Sequence, residues 1–137
     1  MNSMKQYEIL EHRADLKIRA FGKTKEELFL NALRGMTESQ KGEDLKGWVK
    51  KEIKIKSPDL SALLVDFLSE ALYLSQINKE IYSSVEFKKF TETRIEGKLI
   101  GQKVERFGED IKAVTYHSLE VNQKEDGSWE ATVLFDI

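Results

Sequence analysis

The chain has 137 residues, 40% apolar and 34% charged, with 22 Lys and Arg against 24 Asp and Glu for a formal charge of −2. That length suits one domain over residues 1–137 with one core, and the mixed signs lack the basic excess on which nucleic-acid binders rely. Cysteine is absent, which excludes disulfides, thiolate nucleophiles and zinc–thiolate sites.

Met1 to Leu10 holds no long apolar run, and no stretch approaches the length of a membrane span. A cytoplasmic protein with no membrane partner is therefore expected, with Met4 as an alternative start to Met1. Residues 7–12 and 16–21 read as short strands. In the second, Leu16, Ile18 and Ala20 alternate with Lys17, Arg19 and Phe21, the period of a half-buried strand. Gly22 breaks the run, and Thr24 with Glu27 three residues on forms a capping box that opens a helix ending near 40–42. Its stripe is Leu28, Phe29, Ala32, Leu33 and Met36.

Residues 42–47 read as a surface loop. Strand character resumes over 48–56, with Val49, Ile53 and Ile55 on one face. Ser57 as cap and Pro58 at the first helical position start a second helix reaching about Asn78. Its leucine-rich set makes it the expected most buried helix. Strands are expected near 82–91, 93–104, 112–122 and 128–136, the last two joined by a hairpin turn at Asp126-Gly127. The order ββαβαββββ describes an α+β domain, two helices packed on a mostly antiparallel sheet.

The two histidines lie in polar clusters near the chain ends, Glu11-His12-Arg13-Ala14-Asp15 and Lys112-Ala113-Val114-Thr115-Tyr116-His117. Carboxylate, imidazole and cation so close together are raw material for metal binding or acid–base chemistry. A two-residue hairpin loop at Asp126-Gly127 would set His117 opposite Asp136. That pair reads either as metal ligands or as a cross-strand hydrogen bond and nothing more. The same register puts Lys112 on the other face unless a bulge intervenes, and a one-residue slip reverses these faces. Asp15 reads as a site residue or as the stabiliser of its own turn, and Arg13 as a solvated charge. An α-carboxylate on Ile137 would stand one residue from Asp136. Clustered oxygens of this kind suit Ca²⁺, Mg²⁺ or Mn²⁺, whereas the plain alternative is a solvated tail. No phosphate-cradling loop occurs, since Gly97, Gly101 and Gly108 stand isolated.

These stretches together resemble the archease family. The matching features are Tyr7-Glu8-Ile9-Leu10-Glu11-His12-Arg13-Ala14-Asp15, the helix entry Thr24-Lys25-Glu26-Glu27-Leu28-Phe29, and Leu63-Leu64-Val65-Asp66-Phe67-Leu68. Ile111 to His117 and the closing Val133-Leu134-Phe135-Asp136-Ile137 complete them, so the resemblance runs nearly the whole chain in order. It implies an α+β fold and an accessory protein, not an enzyme. Such a protein would act on the RNA-splicing ligase that joins a 2′,3′-cyclic phosphate or 3′-phosphate end to a 5′-hydroxyl. It would promote the ligase's guanylylation by GTP and its multiple turnover in tRNA splicing, meeting GTP and tRNA through the ligase. The resemblance assigns ligase activation to Asp15, Lys112 and Asp136, and a divalent-cation site to Asp15, Asp136 and the Ile137 carboxylate. His12 and His117 enter as supporting residues. The competing expectation is a small metal-dependent phosphoryl-transfer or hydrolytic enzyme using the same carboxylates; a weaker third is an RNA- or protein-folding chaperone.

Overall fold

The computed structural model describes residues 5–11 and 15–137. A four-stranded antiparallel sheet is ordered β1 (Tyr7–Glu11), β2 (Asp15–Gly22), β9 (Trp129–Asp136), β8 (Ala113–Gln123). A three-stranded antiparallel sheet is ordered β4 (Lys46–Lys56), β6 (Arg94–Lys103), β5 (Glu80–Phe90). The helices α1 (Lys25–Gln40) and α2 (Leu60–Asn78) each touch strands of both sheets. The fold is therefore α+β, but with two main sheets where the sequence suggested one. Two-residue strands β3 (Gly42–Glu43) and β7 (Arg106–Phe107) pair with each other, the first inside the stretch expected to be loop.

Local chemistry explains the helix boundaries. Thr24 caps α1 by accepting the Glu27 N–H at 3.1 Å, and the Glu27 carboxylate reaches back to the Lys23 N–H at 3.2 Å. At α2, Asp59 is the cap instead of Ser57, accepting the Ala62 N–H at 2.8 Å. The Ser57 hydroxyl donates to Asp66 Oδ2 at 2.6 Å, and Pro58 precedes the cap. Both helices end on a left-handed lysine, Lys41 (φ 49) and Lys79 (φ 53).

The core is continuous between the layers. Leu16, Ile18, Ala20, Ala131, Val133 and Phe135 supply the inner face of the four-stranded sheet. Phe29 and Phe67 of the helices meet Phe87 and Phe90 of β5 at centroid separations of 4.9 to 6.0 Å. Contrary to expectation, α1 is the more thoroughly buried helix. Its polar Asn31, Thr37, Ser39 and Gln40 are buried beside its apolar stripe, because strands flank it on both sides. Each has a hydrogen bond, for example Thr37 Oγ1 to Tyr82 O at 2.6 Å. α2 is long and apolar enough by composition to cross a membrane, against the sequence reading, yet Leu63, Leu64, Phe67, Leu68 and Ala71 are core residues of this fold.

Candidate functional site

Antiparallel pairing brings three strand ends together. β2 begins with Asp15, β9 ends with Asp136, and these two residues are directly paired. On the other side of β9, Asp136 pairs with Ala113, the first residue of β8. The Lys112 N–H donates to the Asp136 carbonyl at 2.8 Å. Asp15, Lys112 and Asp136, expected from the sequence to act together, thus meet at one end of the four-stranded sheet. His12 and Arg13 lie outside the described residues.

Alternation sets the direction of the carboxylates. Leu16 and Phe135 point into the core, so their neighbours Asp15 and Asp136 share the opposite face. Side chains on directly paired residues of one face stand roughly 5 Å apart at Cβ. Asp136 is exposed and Asp15 half-buried. Lys112 is exposed, and Lys17 shares the outward face with Asp15. Asp15 Oδ1 is fully buried and has no hydrogen-bond partner among the described residues. A buried acceptor left unpaired costs on the order of 1–3 kcal/mol, more for a charged group, so this oxygen is a ready ligand for a cation.

That orphan is the structural test of a divalent-cation site, and the donors fit one in kind. Asp15 and Asp136 offer hard carboxylate oxygens, the type preferred by Ca²⁺, Mg²⁺ and Mn²⁺. Among the described residues no three acidic or imidazole side chains gather as a metal cluster. An Ile137 carboxylate could supply a further oxygen.

His117 does not stand opposite Asp136. The hairpin is closed by a three-residue connection, with Lys124 N donating to Ser128 O, Gly127 N to Lys124 O, and Gly127 at φ 89. Between the pairs Glu120–Thr132 and Thr115–Leu134 the ladder breaks, with four residues of β8 facing one of β9. His117 is an exposed member of this bulge; its N–H donates to Thr115 Oγ1 at 3.2 Å, and Ser118 adopts φ 56. The two-residue loop fails because Gly127 takes the left-handed position of a longer turn.

Two contacts to α2 escaped the sequence reading. The Tyr116 hydroxyl donates to Asp66 Oδ1 at 2.5 Å, and the Gln76 amide donates to the Ile111 carbonyl at 2.7 Å. Asp66 stood within a motif noted for its leucines, but nothing local in the sequence pairs it with a residue 50 positions away. Two open concavities of about 470 and 480 Å³ lie elsewhere, lined by Glu52, Phe87 and Gly97 in one and Tyr7, Arg34 and Trp48 in the other. Asp15, Lys112 and Asp136 line neither.

Residues 7–137 match the family model described as the Archease protein family (MTH1598/TM1083). The chain belongs to the archease family. A protein archease from Methanosarcina barkeri is 40% identical, with 97% of each chain covered. The solution structure of protein 1598 from Methanobacterium thermoautotrophicum superposes with a TM-score of 0.71 at 28% identity, covering 98% of this chain and 100% of that one. The crystal structure of an archease from Thermotoga maritima, described as a possible chaperone, gives 0.69 at 23% identity with full coverage of both chains. At that identity the Thermotoga likeness speaks for the archease fold alone.

Proposed function

We propose that the protein is an accessory factor of the RNA-splicing ligase that joins 2′,3′-cyclic-phosphate or 3′-phosphate RNA ends to 5′-hydroxyl ends. In this reading it promotes the ligase's guanylylation by GTP and sustains multiple turnover in tRNA splicing in the cytoplasm. Membership of the archease family supports the choice of partner. The observation that carries the site is the meeting of Asp15, Asp136 and Lys112 at one sheet end, with one Asp15 oxygen buried and unpaired.

The chain's own groups suggest a division of labour. Asp15 and Asp136 present oxygen ligands from adjacent, rigid strands, and such placement costs little reorganisation when a ligand arrives. Lys112, whose main-chain N–H is held by the Asp136 carbonyl, adds an exposed ammonium-bearing residue at the same sheet end. Such a group pairs with a phosphate or with a carboxylate of the ligase. A divalent cation bound there would supply positive charge against phosphate oxygens. The protein itself would then orient and neutralise, leaving the bond-making to the ligase.

The test is a ligation assay under multiple turnover with the cognate ligase, GTP and RNA, with and without this protein. Stimulation by the wild type is expected, and Asp15→Ala and Asp136→Ala should each lose it while keeping a cooperative unfolding transition. Ligation or hydrolysis by the purified protein without a ligase would overturn the accessory reading in favour of a small metal-dependent enzyme.

A further inference from the structure

Continued without interruption from the Glu120–Thr132 pair, the β8–β9 ladder would set Tyr116 against Asp136. It would carry Lys112 beyond Ile137, away from both carboxylates. The observed partner of Asp136 is Ala113, because the bulge over 116–119 takes up three surplus residues of β8. Three residues of strand are about 10 Å. Without the bulge, Lys112 would be displaced by that distance, and because three is odd the faces of β8 would also reverse.

Something must hold the surplus at 116–119 and keep it from spreading along the strand. Tyr116 is more than half exposed, so packing alone does not fix it; its hydroxyl is bonded to Asp66, whose other oxygen accepts from Ser57. At the far end Ile111 is buried in the core and its carbonyl accepts from Gln76. The two anchors are commensurate. Asp66 and Gln76 are ten residues apart on one helix, about 15 Å. Ile111 and Tyr116 are five residues apart, about 17 Å when fully extended. The length of the segment is thus close to the spacing of its two anchors on α2, so the surplus falls after Tyr116.

We propose that α2 acts as a ruler for the functional site, with Tyr116 and Asp66 as positioning residues that set the β8 register and thereby place Lys112 beside Asp136. The importance of Lys112 rests on the ligase-accessory reading; the register itself does not. The hydrogen bond to the Asp66 carboxylate also raises the Tyr116 phenol above its ordinary value.

The experiment follows amide exchange of Lys112 and the cross-strand Ala113–Asp136 contact by NMR in full-length wild type, Tyr116→Phe, Asp66→Ala and Asp66→Asn. Ligase stimulation is measured in parallel. In Tyr116→Phe and Asp66→Ala the Lys112 amide should lose roughly tenfold or more of its protection, the Ala113–Asp136 contact should weaken, and stimulation should fall. Core amides and the unfolding midpoint should hold. Asp66→Asn, which keeps an acceptor for the tyrosine hydroxyl, should restore much of the protection. Unchanged Lys112 exchange and an unchanged Ala113–Asp136 contact in Tyr116→Phe would overturn the proposal, as would loss of protection shared equally by the core. If wild type fails to stimulate the ligase while the register shifts as expected, the functional reading falls and the ruler stands.

Discussion

Asp15 carries the sharpest conflict between stability and use. Its neighbours on β2 earn their positions by burying apolar surface, while one of its own oxygens is buried without a partner among the described residues. Removing that oxygen should therefore cost the ligand-free protein little. We expect Asp15→Ala to change the unfolding free energy by less than about 1 kcal/mol, or to raise it, in urea titrations with a chelator present. Adding millimolar Ca²⁺, Mg²⁺ or Mn²⁺ should then raise the midpoint of the wild type and not of the variant; equal shifts would remove Asp15 from the ligand set. A different residue, Tyr7, contributes to alkaline behaviour. Burial, then the neighbouring Glu38 carboxylate, pushes its phenol from 10.0 up to about 12. A raised folded-state value favours the protonated form, so this contribution is complete below about pH 10 and is lost as pH rises from 10 to 12. Tyr7→Phe should show a flatter stability profile across that window, measured by thermal melts. Tyr82, raised by burial and by Glu80, leaves a residual slope in both proteins.

At the scale of elements, what was legible in the sequence followed from local chemistry. The Thr24 capping box and the alternation of β2 are rules of nearest neighbours, and both hold in the fold. The start of α2 was misread because Ser57 and Asp59 both suit a cap; the tie is decided by Asp66, which engages the Ser57 hydroxyl and leaves Asp59 to the helix. The burial of α1 was misread because an apolar stripe reports one covered face, whereas β2 and β5 cover two. Strands β3 and β7 were missed because two residues display no period. Gly97 and Gly101 looked incidental, yet they lie on the central strand β6, where an added Cβ would stand 2.3 Å from Glu86 O and 1.8 Å from Ile81 O. We expect Gly101→Ala to force β5 away from β6 and to cost about 3 kcal/mol or more, read as a fall in the denaturation midpoint. A change near zero would mean that the sheet opens freely at that point.

Across the whole molecule, the convergence of the site was legible and its register was not. The sequence grouped Asp15, Lys112 and Asp136 through the family resemblance, and the antiparallel pairing of β2 with β9 and of β9 with β8 brings them to one sheet end. Which β8 residue faces Asp136 depends on a bulge held by a helix 50 residues earlier, and no period-two count reaches that far. The same bulge divides the hairpin into two separately indexed ladders, one counted from the Asp126-Gly127 turn and one from α2. Residues gained or lost at the turn need not reach Lys112, because the surplus at 116–119 can lengthen or shorten to absorb them. The hairpin tip is thereby free to vary in length while the functional end of the sheet keeps its alignment.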